Sequence, residues 1–144
     1  MVDLKTRQEK QLLKAIELFY YAYRSFTSGP DRILAEHSLS RVHHRLLYFI
    51  ARNPGINVNE LLSILEVSKQ ALNGPLRTLV EMDLVINDSA EHDRRVRELK
   101  LSKQGTELEQ LLTNTQMQLL KKVFHAAGSQ SEKGWREIMD KIPQ

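Results

Sequence analysis

The stretch NVNELLSILEVSKQALNGPLRTLVEMDLVIN, residues 57–87, decides how the rest of the chain is interpreted. It opens with capping-box spacing between Asn57 and Glu60, which predicts a short helix. The letters EVS then interrupt the apolar spacing, and Ser68 is a favourable N-cap for a second helix over about residues 69–82. Two helices separated by so tight a turn predict a helix-turn-helix. We expect the second helix to bury Ala71, Leu72, Leu76, Leu79 and Val80.

After this stretch the apolar period changes to that of strands. Residues 84–87 and 97–101 have the pattern of two strands joined by a polar segment, and a helix-turn-helix followed by such a hairpin is a winged helix. Apolar residues at helical spacing predict further helices over about 4–26 and 38–52, and a long helix from Ser102. The predicted fold class is therefore mainly α with a small β-hairpin wing.

Short polar motifs mark where the outer helices begin and end. SGPD at 28–31 and NPG at 53–55 predict the ends of the first two helices, because proline has no backbone donor and glycine accepts positive φ. A second capping-box pattern, Ser129 with Glu132, predicts the start of a last helix.

Length and composition narrow the function classes. The chain has 144 residues, which suits one domain, and its 21 Lys and Arg against 18 Asp and Glu give a net charge of +3. This mild excess fits a nucleic-acid partner without requiring one. The absence of cysteine excludes disulfides and cysteine zinc sites. The apolar runs are too short to span a membrane and the N-terminus has no secretory signal, so we expect a cytoplasmic protein with no membrane partner.

One face of the second helix in the opening stretch carries side chains suited to reading DNA. Arg and Lys pair with guanine edges in the major groove, and Asn and Gln pair with adenine edges. The residues concerned are Lys69, Gln70, Asn73 and Arg77. An ordinary solvated helix face has a similar composition, and the preceding turn favours the DNA interpretation.

The hairpin segment crowds one carboxylate, Asp93, among Arg94, Arg95 and Arg97. A basic hairpin tip can enter the minor groove, where a narrow width attracts arginine. A neighbouring carboxylate can hold a guanidinium in place before DNA arrives. A surface ion pair worth roughly 0–1 kcal/mol is the alternative.

A sequence motif decides between these interpretations. Asp93, Arg95, Leu99, Leu101, Ser102 and Gly105 spell D-x-R-x-x-x-L-x-L-S-x-x-G, which resembles the wing signature of the MarR family of bacterial transcriptional regulators. The segment LSRVHHRLLYFIARNPGINVNELLSILEVSKQALNGPLRTLVEMDLV also resembles the helix-turn-helix of that family. The resemblance covers residues from about 10 to 142.

The resemblance implies a single domain over 1–144, with a winged helix-turn-helix at about 38–102. Helices at about 4–26 and 103–142 would form the dimerisation region of a homodimer. Each recognition helix would enter a major groove of double-stranded DNA and each wing the flanking minor groove, at a pseudo-palindromic operator. Many members of the family are repressors that release DNA when a small aromatic or phenolic anion binds.

The resemblance also assigns roles to residues. Arg95, with Arg94 as the other candidate, would contact DNA at the wing tip, and Asp93 would orient an arginine. The DNA-binding set implied by the match comprises Ser68, Lys69, Gln70, Asn73, Arg77, Arg94, Arg95 and Arg97. Ser68 would cap the recognition helix and reach a phosphate.

Two departures from the family pattern carry structural expectations. Gly74 and Pro75 stand inside the recognition helix, and Pro75 cannot donate to the Ala71 carbonyl. We expect a kink there or irregular first turns, which puts Arg77 in doubt as a base contact. Asp83 replaces a common glycine before the first wing strand, and aspartate tolerates the left-handed backbone that this turn needs.

An effector pocket is the last expectation that the resemblance supports. Its candidate residues are Tyr20, Tyr23, Arg41, His43 and His44. Cations beside aromatic rings could hold an aromatic carboxylate, although tyrosines at helical spacing are usually core residues. We expect no metal site and no cofactor, since the histidines lack metal-ligand spacing, and we find no motif of an enzyme.

These observations predict a sequence-specific DNA-binding regulator, most consistent with a repressor that acts as a homodimer. The alternative is a dimeric winged-helix module that binds a protein or small molecule without specific DNA binding. A non-specific nucleoid-type DNA binder is a third interpretation.

Overall fold

The computed structural model describes residues 3–89, 95 and 97–144. Six helices and one hairpin follow one another in the described chain, in the order α1 Leu4–Glu36, α2 Arg41–Arg52, α3 Val58–Leu65, α4 Lys69–Glu81, β1 Val85–Ser89, β2 Arg97–Leu101, α5 Lys103–Ala127 and α6 Ser129–Lys141. The predicted fold class, mainly α with a β-hairpin wing, is confirmed. Among the described residues no helix is both long and apolar enough to span a membrane.

The core lies where α2, α3, α4 and the hairpin meet α1 and α5. Its fully buried side chains are nearly all leucine, each worth about 2 kcal/mol when removed from water. They are Leu34, Leu46, Leu47, Ile50, Leu61, Leu72, Leu79, Leu99 and Leu112. Ala71 was predicted to join them and is exposed, because it lies to the side of the stripe formed by the leucines of α4.

The wing is tied to the loop before α3. β1 and β2 pair antiparallel, from Val85 opposite Leu101 to Ser89 opposite Arg97. Leu99 donates its N–H to the carbonyl of Ile56 at 2.8 Å, and its own carbonyl accepts from Gly55 at 2.9 Å. This third strand-like contact fixes the hairpin against the helix-turn-helix, and the sequence pattern contained no sign of it.

The letters L-S-x-x-G of the wing motif have a structural cause. Ser102 caps α5 by accepting the N–H of Gly105 at 3.0 Å, and its hydroxyl donates to the carbonyl of Asp83 at 2.6 Å. A Cβ on Gly105 would lie 1.9 Å from the carbonyl oxygen of Leu84, so only glycine fits there. Asp83 adopts φ 59°, the left-handed backbone that was expected of it.

The predicted break at SGPD is wrong, because α1 continues through it to Glu36. Pro30 is buried inside the helix and leaves the carbonyl of Phe26 without its usual donor. The side chain of Gln116 in α5 donates to that carbonyl at 3.4 Å. A Cβ on Gly29 would lie 3.3 Å from Thr115, so the small residue allows α1 and α5 to approach closely. The motif is a packing site between two helices.

Two other expectations about the starts of helices are corrected: the irregular first turns of α4 and the Ser129 cap of α6. α4 runs unbroken through Pro75, and its first turn is regular because the Ser68 hydroxyl accepts the N–H of Ala71 at 3.1 Å. Ser129 does not cap α6: the N-cap is Gly128, at φ 96°, and Ser129 is the first helical residue. The chain turns so sharply after α5 that the position just before α6 requires a glycine.

Candidate nucleic-acid interface

The α4 helix has one buried side and one exposed side. Leu72, Leu76 and Leu79 are buried. All the predicted reading residues are exposed, namely Ser68, Lys69, Gln70, Asn73 and Arg77. At about 100° per residue, the four helical ones fall within an arc of about 100°. The structure therefore brings them together as one surface, which we call the α4 face.

Local interactions fix the orientation of the α4 face. The helix is held at its start by the Ser68 cap and along its length by its three buried leucines. Thr78 donates its hydroxyl to the carbonyl of Gly74 at 3.1 Å, within the same helix. Since the buried side cannot rotate out of the core, the exposed side keeps a constant direction.

The wing places two of its arginines on the surface. Arg95 is exposed in a turn, and Arg97 is exposed at the start of β2. Asp93 and Arg94 lie outside the described residues, so the predicted pairing of Asp93 with an arginine remains a prediction. Further along the hairpin, Lys100 lies 4.0 Å from Asp88 across the two strands.

A cavity of about 360 Å³ lies between α1, α2 and α5. Of the predicted pocket residues, Tyr23, Arg41 and His44 line it. Other lining residues were not predicted, among them Arg45, Tyr48, Phe49 and Thr113. Most of the wall is aromatic or aliphatic, and the basic groups are concentrated on α2.

Two predicted pocket residues, Tyr20 and His43, do not line this cavity. Tyr20 is about one helical turn before Tyr23, is exposed, and packs against the ring of Tyr21 with centroids 5.4 Å apart. His43 turns to the start of α2, where its Nδ1 accepts the N–H of Ser40 at 2.9 Å. Its Nε2 is buried without a hydrogen-bond partner in the described part of the chain.

The cations at the cavity differ in how they are paired. Arg41 donates from Nε and Nη2 to the carboxylate of Asp31, at distances of 2.8 to 3.1 Å, and these bonds raise the pKa of Arg41. Arg45 donates to the hydroxyl of Tyr23 at 3.1 Å and has no carboxylate partner within the described residues. Arg45 is therefore the cation more available to an anion.

A polar chain crosses from the cavity to the far side of α5. His44 is buried, and its Nε2 lies 3.3 Å from the hydroxyl of Thr113, which donates to Glu109 at 2.7 Å. Because that hydroxyl hydrogen points to Glu109, the neutral imidazole donates from Nε2. Glu109 in turn forms an ion pair with Arg52. We call these four residues the α2–α5 network.

Electrostatics of the α2–α5 network favour neutral histidine. Burial lowers the pKa of His44, and the carboxylate of Glu109 only partly opposes this effect. Sequence reasoning missed Glu109, because a glutamate in an amphipathic helix is normally a surface residue. Its position between Leu108 and Leu112 on the buried stripe was the signal that could have identified it.

A second surface consists of apolar side chains that the single chain leaves exposed. On α1 these are Leu4, Leu12, Leu13, Ile16, Leu18, Phe19, Tyr20 and Tyr21. On the last two helices and the residue after them they are Leu111, Met117, Val123, Trp135, Ile138 and Ile142. We call this set the helical apolar surface. Large apolar side chains exposed in such number indicate an interaction site.

Residues 37–95 match the sequence model of the MarR family. The HTH-type transcriptional regulator PetP of Rhodobacter capsulatus is 42% identical over 132 residues, which are 92% of this chain and 80% of PetP. The chain belongs to the MarR family. The membership that the wing motif predicted is thereby confirmed.

Solved structures of low sequence identity share the MarR-family fold. The crystal structure of MarR superposes with a TM-score of 0.67 at 22% identity, covering 91% of this chain and 93% of that one. A point mutant of S. aureus MepR bound to an oligodeoxyribonucleotide gives 0.64 at 15% identity, covering 89% and 94%. The MarR-family regulator SP03579 gives 0.77 at 17% identity, covering 95% and 91%.

Proposed function

We propose that this MarR-family transcriptional regulator binds double-stranded DNA as a homodimer, at a pseudo-palindromic operator. The observation that carries the proposal is the α4 face, where Lys69, Gln70, Asn73 and Arg77 project from a helix whose other side is fixed in the core. An α-helix fits the major groove, and these side-chain types match base edges in pairs.

The wing would contact the groove next to the one that α4 enters. Arg95 and Arg97 are exposed on a hairpin that is hydrogen-bonded to the loop before α3, so the wing and α4 face belong to one unit. Arg94 and Asp93 complete the proposed wing contact, with Asp93 orienting an arginine. Phosphate contacts would supply most of the affinity, so binding should weaken steeply with salt.

The helical apolar surface would join two copies of the chain. It lies on α1, α5 and α6, the elements outside the winged helix. Leucine, phenylalanine and tryptophan side chains that remain in water in one copy would be buried against the second. A two-fold axis there would place the two α4 helices about 34–36 Å apart, one turn of duplex DNA.

The protein would act as a repressor while it is bound to DNA. A small aromatic anion that binds in the cavity would release it from the DNA. Aromatic rings line the cavity and Arg45 offers a guanidinium that no described carboxylate neutralises. Benzoate is a suitable probe: it should raise the melting temperature of the protein, and Arg45→Ala should weaken that effect. A reporter driven by the operator would show repression as lower expression in the presence of the protein.

The test of DNA binding is fluorescence anisotropy with a labelled fragment from upstream of the protein's own coding sequence. We expect Arg95→Ala to weaken binding about tenfold and to reduce the slope of log K against log salt by about one. Lys122→Ala removes the same charge from an exposed position on α5 and is the control. Sedimentation velocity should give twice the 16.7 kDa mass of the chain for all three proteins.

The outcomes separate the proposal from its alternatives. Equal affinity of wild type and Arg95→Ala would argue against the wing contact. Competition by scrambled DNA as strong as by the operator fragment would indicate a non-specific binder. A dimer that binds no DNA would favour the interaction module that recognises a protein or small molecule.

A further inference from the structure

Gly74 leaves bare backbone at the edge of the α4 face, about 40° around the helix beyond Gln70. Gly74 lies about 200° around the helix from buried Leu72, at about 100° per residue, and so points almost directly away from the core. Gln70 and Arg77, four residues before it and three after it, are its neighbours on the helix surface. A molecule that lies against this outermost side of α4 can therefore approach the main chain more closely at Gly74 than at Gln70 or Arg77.

Four other glycines of the chain have a local structural reason to lack a side chain. Gly105 is needed by a carbonyl that a Cβ would meet at 1.9 Å, and Gly55 and Gly128 have positive φ. Gly29 packs against Thr115. Among the described residues, a Cβ added at Gly74 would meet nothing within 4 Å outside its two sequence neighbours and the backbone of its own helix.

Pro75 supplies one local reason for the glycine. A Cβ on the residue before proline crowds the proline ring when the backbone is helical. This crowding accounts for a glycine before Pro75. Whatever its cause, the exposed side of α4 has no side chain at Gly74. A helix with proline and glycine at adjacent interior positions is intrinsically less stable than one with alanine at both. Here Gly74 lies at the edge of the α4 face, and Pro75 lies about 100° farther around the helix, outside that face.

We propose that Gly74 is a specificity-determining residue, whose missing side chain leaves room for the methyl group of a thymine in the major groove. The inference rests on the proposed function, since it requires α4 to lie on DNA. The thymine C5-methyl is the one apolar group that projects from base pairs into the major groove. Gln70 and Asn73, beside Gly74, are the side-chain types that pair with adenine, and every adenine brings a thymine opposite it.

The experiment adds a methyl group to the protein and removes one from the DNA. Gly74→Ala is made in a Pro75→Ala background, so that the crowding by proline is absent and Pro75→Ala alone is the reference. The operator fragment is prepared once with thymidine and once with deoxyuridine, which lacks only the C5-methyl. Affinities of both proteins for both DNAs are measured by anisotropy.

The expected result is a rescue. On thymidine DNA, the added alanine should weaken binding about tenfold relative to the Pro75→Ala protein, a loss of about 1.4 kcal/mol. On the deoxyuridine fragment, the two proteins should bind with affinities that agree within about threefold. The same substitution should raise the melting temperature by about 3–6 °C, because alanine is the better helix former. Gly134→Ala, on α6 with equally open surroundings in the described chain, should leave both affinities unchanged.

Each contrary result has one meaning. Unchanged binding of the Gly74→Ala protein to thymidine DNA would overturn the assignment, and so would an equal loss on both DNAs. Failure of the wild-type protein to bind the fragment at all would overturn the proposed function together with the assignment. Binding by wild type with no effect at Gly74 would overturn the assignment alone.

Discussion

Replacing Arg52 by methionine should destabilise the protein more than replacing its partner, Glu109, by the neutral glutamine. The side chain of Glu109 is 5% exposed, whereas that of Arg52 is 41% exposed. Arg52→Met leaves a buried carboxylate whose remaining donor among the described residues is the Thr113 hydroxyl. Breaking a buried pair in this direction costs about 3–5 kcal/mol. Because water can reach the Arg52 side of the pair, we expect about 2–3 kcal/mol.

The reverse substitution should cost much less. Glu109→Gln keeps the shape of the side chain and can still accept from Thr113. Arg52 retains the ring of Tyr48, 4.0 Å from its guanidinium carbon, and the Tyr48 carbonyl, which it contacts at 3.3 Å. Its exposed charge remains hydrated, so the expected cost is about 1 kcal/mol. The double variant should lose about 1–2 kcal/mol less than the sum of the single losses, since it buries no unpaired charge.

Urea unfolding followed by circular dichroism measures these differences. All four proteins are compared at one protein concentration, because linked association would otherwise shift the midpoint. Losses of equal size for the two single variants, or additivity within about 0.5 kcal/mol, would refute the reasoning that the carboxylate depends on Arg52.

The close contact at Gly105, the Gln116 hydrogen bond and the buried His44 each predict a measurable change in stability. Gly105→Ala should destabilise the protein by about 3 kcal/mol or more in thermal melts, since its methyl would overlap a carbonyl at the start of the wing. Gln116→Leu should cost about 1–2 kcal/mol of unfolding free energy by leaving the Phe26 carbonyl unpaired, and the cost should vanish in a Pro30→Ala background. Burial lowers the pKa of His44, so the unfolded chain binds its proton first as the pH falls below about 6.5, the unfolded value. Stability should therefore decline from about pH 7.5 to about pH 5.5 with a slope of up to about 1.4 kcal/mol per pH unit, and His44→Asn should flatten that decline in urea titrations.

The winged helix could be predicted because its signals are local. Ser68 caps α4 as expected, α5 begins directly after Ser102 as expected, and β2 occupies the predicted residues 97–101. A cap, a turn and a change of apolar period each depend on a few neighbouring residues. Such interactions are visible in sequence spacing before any tertiary contact is known.

The course of α1 could not be predicted, because its continuation depends on a distant partner. The donor that replaces the missing N–H of Pro30 belongs to Gln116, which is 90 residues from Phe26 in sequence. Without that contact, a glycine followed by proline indicates a helix end. With it, the same dipeptide becomes the point where two long helices touch.

The candidate pocket was only partly predictable for a related reason. Tyr23, Arg41 and His44 line the cavity as expected, and Arg45 and Thr113, which also line it, were not among the predicted residues. Residue type predicted which side chains could bind an anion. Which of them face the cavity depends on where α1 first meets α2 and α5, and spacing within one helix does not contain that information.

The continuity of α1 changes how the proposed switch would work. α1 carries part of the helical apolar surface at one end and a wall of the cavity at the other, with no break between them. α5 begins at the wing, where Ser102 binds the Asp83 carbonyl, and continues into the same apolar surface. Two unbroken helices therefore connect the proposed dimer contact to each winged helix. α2 contacts α1 and α5 at the cavity and at the α2–α5 network. A ligand in the cavity would therefore move the winged helix by shifting α2 against these two long helices. That shift would alter the separation of the two α4 faces in the proposed dimer.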